Sequence, residues 1–390
     1  MRYVLVVLLF FGLGALARAQ ALRDVNYNFL YDPTEPFTLN IKIVRSGSAW
    51  TALYNFTLRD SAQRMDQYHI TWDLRPSIDE KQGTAIEQSA VKKTVSSGVQ
   101  QDGEISIPLS ASQQVLSVRV LNNAVKRAWM MYRILDPNYP VNTYLMSNGK
   151  PVGTNYVKIN TGVTLAGDSD NKVISYYEDD FPAAVPAFSE GMAKVARSME
   201  VDSTFALSAN QEISFSKPGL YLVQKDTSSA EGLAFRVQDD YPRLARVESL
   251  ADPLIYICTK QEFEKIKAAK GDKKAFDRVI LSVTGNTERA KNLMRNYFKR
   301  VEWANAYFTS YKEGWKTDRG MIYILFGLPE EVYKFSDREV WNYKSASLKA
   351  TFNFVKSSTL FDPDNYVLIR EKKFQETWYE KVDLWRNARF

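Results

Sequence analysis

From about Phe37 to Leu135 apolar and polar residues alternate with a period of two, which sends successive side chains to opposite faces of an extended strand. Thr38–Val44, Trp50–Leu58, Tyr68–Leu74, Glu104–Leu109, Val115–Leu121 and Ala128–Leu135 all carry the pattern. Ser46-Gly47-Ser48 and Gln101-Asp102-Gly103 supply turn chemistry between strands. Short strands at this density predict an antiparallel β-sandwich of immunoglobulin-like type. Asp136-Pro137-Asn138-Tyr139-Pro140 then breaks the run, because proline has no N–H to give a ladder.

A second strand-rich stretch runs from Val141 to Asp240, with candidates at Tyr156–Ile159, Lys172–Tyr177, Thr204–Ser208, Glu212–Ser216, Leu220–Lys225 and Leu233–Val237. Phe181–Pro186 reads as a loop, and Lys217-Pro218-Gly219 as a turn in which proline fixes φ and glycine permits the reversal. A second antiparallel sandwich is expected.

After Arg243 the period lengthens. Thr259-Lys260-Gln261-Glu262 is a capping box, and helices are predicted over 260–270, 273–283 and 287–311. The third places Leu293, Met294, Tyr297, Phe298, Val301, Ala304 and Phe308 on one face. Strands at Met321–Phe326, Val340–Tyr343, Ala350–Val355 and Tyr366–Ile369 precede a closing amphipathic helix from Lys372 to Trp385. The expected organisation is thus a leader (1–19), a β-sandwich domain (20–139), a second β-rich domain (140–243) and an α+β domain (244–390).

The leader is read from Met1-Arg2, the apolar run Tyr3–Ala17, and small residues at Ala17 and Ala19 that form a cleavage pattern before Gln20. The run is shorter than the roughly 20 residues of a membrane span, so export by a signal peptide cut after Ala19 is expected, to the periplasm or outer membrane. No later segment is long and apolar enough to cross a bilayer, so any membrane association of the mature chain would run through a partner or a peripheral surface. Loss of Arg2 and Arg18 lowers the net charge from +6 to +4, too little to imply nucleic acid. The single cysteine, Cys258, excludes an internal disulfide framework.

One motif stands out. Gly314-Trp315-Lys316-Thr317-Asp318-Arg319-Gly320 leads into Met321–Phe326 and then Gly327-Leu328-Pro329-Glu330-Glu331. The pattern suggests a tight turn, a buried strand, a second turn and a helix start. Gly314, Gly320 and Gly327 would take positive φ, Trp315 would anchor the turn, Asp318 and Arg319 would pair, and Pro329 would open the helix.

These residues resemble the GWxTD domain family, found in exported proteins of Gram-negative bacteria. The likeness rests on Gly314, Trp315, Thr317, Asp318, Arg319, Gly320 and the turn at Gly327 and Pro329. It extends back through Arg300-Val301, Ala304-Asn305 and Phe308, and forward to Trp341, Tyr343 and Phe352-Asn353-Phe354. A β-rich region beginning near Tyr31-Asp32-Pro33 is similar to the longer members. Where members carry an aromatic and acidic-proline segment before the long helix, this chain reads Val279–Thr287 (VILSVTGNT). The resemblance implies a fold and an address more than a reaction.

Other candidate chemistry is sparse. His69 is the sole histidine and is expected half-buried in a strand; with one cysteine, neither a triad nor a zinc site can be assembled in the usual way. The acid pairs Asp179-Asp180 and Glu330-Glu331 are neighbours that point apart, unlike the facing carboxylates of a glycosidase. Asp168-Ser169-Asp170-Asn171 fits a polar hairpin turn better than a calcium loop. The lysines from Lys260 to Lys274 suit a solvated helix face, or an acidic partner or head group. No cofactor is implied and no catalytic set is complete. The expected function is therefore that of a non-catalytic cell-envelope protein acting through protein–protein contacts. A glycan-binding alternative depends on two of Trp50, Trp72 and Trp129 sharing an exposed face.

Overall fold

The computed structural model describes residues 20–138, 140–167, 171–178, 181–191, 195–208, 210–345 and 349–390. The leader, the Asp168–Asp170 part of the acidic loop and Asp179-Asp180 lie outside them. Among the described residues no helix is long and apolar enough to cross a membrane.

Eight strands build the first unit: β1 (Phe37–Ser46), β2 (Ala49–Leu58), β3 (Tyr68–Arg75), β4 (Thr84–Ile86), β5 (Val91–Ser96), β6 (Gln100–Pro108), β7 (Gln114–Asn122) and β8 (Arg127–Leu135). They form two four-stranded sheets, ordered β1-β2-β6-β5 and β4-β3-β7-β8. The inward positions meet in one core that includes Phe37, Phe56, Trp50, Trp72, Val118 and Trp129. The period-two pattern located six of the strands. It missed β4 and β5, whose residues are mostly exposed and need no apolar alternation. Gln101-Asp102-Gly103 is not a turn but the interior of β6. Asp102 accepts from the Gln100 amide at 2.6 Å and from Asn55, so its polarity is satisfied within the sheet. Gly103 lets the Tyr54 ring close over the backbone, where a Cβ would lie 2.6 Å from its hydroxyl.

The second unit comprises β9 (Thr143–Ser147), β10 (Lys150–Pro151), β11 (Tyr156–Lys158), β12 (Gly162–Gly167), β13 (Lys172–Tyr177), β14 (Ser203–Leu207), β15 (Glu212–Ser214), β16 (Gly219–Gln224) and β17 (Leu233–Gln238). Its sheets run β10-β9-β12-β15 and β11-β17-β16-β13-β14, and they share a core around Leu145, Ile174, Tyr221 and Phe235. The sandwich is not wholly antiparallel: β11 pairs parallel to β17. These two strands are far apart in sequence, so no hairpin forces them to run in opposite directions.

The third unit opens with α1 (Val247–Ala251), α2 (Lys260–Ala268), α3 (Lys273–Thr284) and α4 (Thr287–Phe308). It continues with α5 (Asp318–Phe326), the strands β18 (Glu331–Lys334), β19 (Arg338–Tyr343), β20 (Ala350–Lys356) and β21 (Tyr366–Leu368), and ends on α6 (Phe374–Arg386). The capping box forms as expected: Thr259 Oγ1 accepts from Glu262 N, and Glu262 accepts from Thr259 N at 2.8 Å. The main correction is α5, where a strand was expected. Its core residues Met321–Phe326 are buried on every side, and a short apolar run of this kind has no periodicity to separate helix from strand. The following Pro329 lies in a loop to β18, not at a helix start. The β18–β21 sheet is antiparallel, and α5 lies against α4, α6 and β21.

One feature of the assembly lies outside any local pattern. Leu22, Tyr27 and Tyr31, ahead of the first strand, belong to the core of the third unit. Tyr27 N donates to Val332 O at 2.7 Å, and Tyr323 Oη donates to Tyr31 O at 2.8 Å. The N-terminal segment therefore straps the last unit to the first.

Candidate functional site

The Gly314–Gly320 motif sits at the junction of α4, α5 and β21, and nearly all of it is buried. Gly314–Lys316 form a single 3-10 turn. Thr317 then caps α5: its Oγ1 accepts from Gly320 N at 3.0 Å and donates to Gly314 O at 2.7 Å. That signal, a threonine followed by an acid ahead of an apolar run, is present in the sequence and marks the helix start. Gly314 and Gly320 do not take positive φ; only Gly327 does, at +86°. The other two are glycine for lack of room. A Cβ on Gly314 would lie 2.1 Å from Ala304 O, and one on Gly320 would lie 1.8 Å from Gly314 O.

Most polar groups of the motif have a specific partner. Gly314 N donates to Tyr241 Oη at 3.0 Å, and Trp315 N to Asn305 Oδ1 at 3.0 Å. Tyr256 Oη donates to Trp315 O at 2.8 Å. Lys316 reaches Glu313 at 3.1 Å, and its carbonyl accepts from Ala184 N in the Phe181–Pro186 loop. The expected Asp318–Arg319 pair does not form. Asp318 instead holds Arg370, with Arg370 Nη2 to Oδ1 at 2.5 Å, and also accepts from Leu368 N at 2.8 Å. Adjacent residues at the start of a helix point in different directions, so each finds its own partner. Arg319 turns to Glu339 at 3.3 Å and lies over the Tyr366 ring.

Glu339 is fully buried and also accepts from Tyr31 Oη at 2.6 Å and Trp341 Nε1 at 2.8 Å. Burial pushes its carboxyl upward, but Lys334, Arg319 and the hydrogen bonds from Tyr31 and Trp341 together offset this and hold it below the usual carboxylate range. Trp341 is fully buried against Tyr31, Phe308 and Phe354. Gly327 ends α5, its carbonyl accepting from Tyr343 Oη at 2.8 Å, while Pro329 is buried in the next loop. Arg370 and Glu339 were missed in the sequence because nothing in their spacing ties them to Asp318 and Arg319. Within the motif Trp315 is buried and the Thr317, Asp318 and Arg319 side chains are engaged by partners inside the fold.

The remaining candidates divide by exposure. Trp50, Trp72 and Trp129 are all buried, so they provide no platform for a sugar. His69 is exposed on β3 rather than half-buried. Cys258 is half-buried, and desolvation pushes its thiol up to about 12. Glu331 is held by Lys344 at 2.5 Å, and Glu330 accepts from Lys344 N at 3.2 Å. Among the described residues no group of three His, Cys, Asp or Glu side chains is placed to hold a metal ion. The lysines of α2 and the start of α3 are solvent-exposed, and Lys260, Lys267 and Lys273 face acids on neighbouring turns or elements.

The accessible feature with a distinctive shape is the edge strand β14. It pairs with β13, in register Ile174↔Phe205, and no described strand lies on its other side. Sheet edges elsewhere are blunted in the usual ways. β1 carries Lys42 and Arg45, β5 carries Lys92 and Lys93, β8 carries Arg127 and Arg133, and β18 carries Glu331 and Lys334. β14 reads Ser-Thr-Phe-Ala-Leu, the one described edge strand longer than three residues with neither charge nor proline. Phe205 shares its face with the buried Leu207 and stands opposite the fully buried Ile174, yet it is 36% exposed. It is a core-facing ring at a rim that the sandwich leaves uncovered.

No curated protein matches the chain. Solved immunoglobulin tandems show a distant likeness. A pair of titin Ig domains is 12% identical, covering 52% of this chain and 98% of its own, at a TM-score of 0.17. The Dpr2 Ig1–Ig2 fragment in complex with DIP-Theta Ig1–Ig3 is 12% identical, covering 52% of this chain and 66% of its own, at 0.19. At such scores the likeness adds nothing to what the sheets themselves display. The match to a family model is different in kind: it spans residues 219–387, from β16 to the end of α6, with the Gly314–Gly320 motif inside it. The C-terminal region of this chain carries a GWxTD domain.

Proposed function

We propose that this is an exported, non-catalytic protein of the cell envelope that binds an extended segment of a partner protein along β14. The observation that carries the reading is the open, uncharged β14 edge with Phe205 at its rim. An added strand would satisfy the outward backbone groups of β14 and cover the ring, as in strand addition to other sheet edges. Exposed Glu178, Glu200 and Asp202 cluster at the Ser203 end, so the favoured partner strand carries an apolar residue opposite Phe205 and a basic residue toward that end. The signal-like leader supports export to the periplasm or outer membrane. The absorption of the motif into buried pairs supports a scaffolding role for the GWxTD domain, with a partner supplying any hold on a membrane.

Selection of displayed seven-residue peptides on the purified protein tests the reading. Recovered binders should share an apolar residue with a basic neighbour, and should lose at least tenfold in affinity against Phe205→Lys. Binders indifferent to that substitution would count against β14.

A further inference from the structure

A cavity of about 250 Å³ lies where all three units meet, walled by β1 and β8 of the first, Asn155 and Gly232–Ala234 of the second, and the Leu360–Asp364 loop of the third. Its volume is below the roughly 300–1,000 Å³ of sites for drug-sized ligands, so it suits a small molecule and not a polymer segment. Four cations line it: Lys42, Arg133, Lys334 and Lys356. Two of these are matched by acids. Lys356 meets Asp364 at 2.9 Å, and Lys334 meets Glu339 at 3.9 Å, though that carboxylate is already shared with Arg319.

The other two form no direct ion pair, although Arg133 is close enough to Asp364 to help hold that carboxyl down against burial. Lys42 Nζ donates to the Thr154 carbonyl at 3.3 Å, and Arg133 donates to the carbonyls of Ile41 and Tyr132 at 3.2 and 3.0 Å. Among the described residues neither has a carboxylate within ion-pair distance. Of the remaining acids on the wall, Asp136 is occupied by Asn138, and Asp362 accepts from Asp364 N at 3.0 Å. Ser310 also lines the cavity; it is 8% exposed, and its buried Oγ has no hydrogen-bond partner. A buried hydroxyl left unpaired is costly, and such groups often mark the place of an ion or ligand.

We propose that the junction cavity binds a small oxyanion, a phosphate or carboxylate, through Lys42 and Arg133, with the Ser310 hydroxyl as an additional donor. Guanidinium and ammonium donors form short, charge-assisted bonds to such oxygens. Because the walls come from all three units, a bound anion also ties the units together. Burial and the neighbouring Asp364 push the Asp362 carboxyl up to about 7, which further lowers the negative charge around the cavity near neutral pH.

Titration calorimetry on the full chain, with inorganic phosphate and with succinate at matched ionic strength, tests the assignment. Saturable one-to-one binding of phosphate, of succinate or of both supports it and identifies the class. Lys42→Met and Arg133→Met should each weaken binding at least tenfold, and Ser310→Ala about threefold. Amine labelling of Lys42 in the unmodified protein, read by peptide mass mapping, should slow several-fold with the binding anion present, which needs no variant to fold. Absence of saturable binding with both probes would overturn the proposal. So would affinities unchanged in folded Lys42→Met and Arg133→Met proteins, or labelling of Lys42 that ignores the bound anion.

Discussion

Asp318 illustrates how much a single residue decides and how little of that is local. Its carboxylate joins α5 to Leu368 at the end of β21 and, just beyond that strand, to Arg370, whose side chain is fully buried. Removing one member of a buried pair strands the other charge, which typically costs about 3–5 kcal/mol. Asp318→Ala should therefore lower unfolding stability by about that amount in denaturant titration, more than the loss of one hydrogen bond would cost. Joint replacement, Asp318→Leu with Arg370→Met, should recover a substantial part, because no lone charge remains. At Gly320 the constraint is steric. Gly320→Ala should destabilise by about 3 kcal/mol or more, since the atom it would crowd is backbone and cannot swing aside. The motif stands out in the sequence, yet the expected positive φ at Gly314 and Gly320, the Asp318–Arg319 pair and the helix start at Pro329 did not materialise. Its partners were not legible, because Arg370 and Glu339 reach it only through the tertiary fold.

Among the elements, those with a strong period or a cap were legible. The capping box at Thr259 and the apolar stripe of α4 placed three helices to within a few residues. α5 was not, since burial on all sides erases periodicity, although Thr317 and Asp318 carried an unused capping signal. Edge strands such as β5 escaped for the opposite reason, having little to bury. The closing helix α6 is pinned to α2 by a two-pronged Arg386–Glu262 contact, both prongs at 2.8 Å. The bond to Arg386 chiefly holds the Glu262 carboxyl down at about 2, against an ordinary value near 4.5. Stability from this depressed group is present above the unfolded value and is lost as pH falls toward 2. Arg386→Ala should thus cost about 2 kcal/mol at pH 7 by denaturant titration, and the difference from the parent should shrink steadily between pH 4.5 and pH 2.

At the scale of the whole molecule, three units are joined by buried polar ties that no sequence period encodes. Arg236 on β17 binds Glu313 at 3.1 Å just ahead of the motif, and the N-terminal strap enters the last core. The order of a β-rich N-terminal region followed by a mixed α/β region was legible; the strap and the junction were not, because both depend on contacts between residues hundreds of positions apart. The junction also carries a pH signature. Asp362 is buried beside Asp364, Arg319 and Lys356, and its folded value of about 7 exceeds its ordinary 3.8. Between those values the folded carboxyl holds a proton that the unfolded one has released, so its contribution is full below about 4 and is lost as pH rises through 7. Asp362→Asn should match the parent near pH 4 and exceed it by about 2–4 kcal/mol at pH 8 in parallel denaturant titrations.

The division of labour claimed for the molecule is that the buried motif holds the fold and the β14 edge makes the contact. A photoreactive benzoylphenylalanine at position 205, compared with the same group at the exposed position 69, tests it in intact cell envelopes. A discrete crosslinked protein is expected from position 205 and none from position 69. A competing peptide selected on β14 should remove the crosslink. No adduct at 205, or the same adducts from both positions, would contradict it.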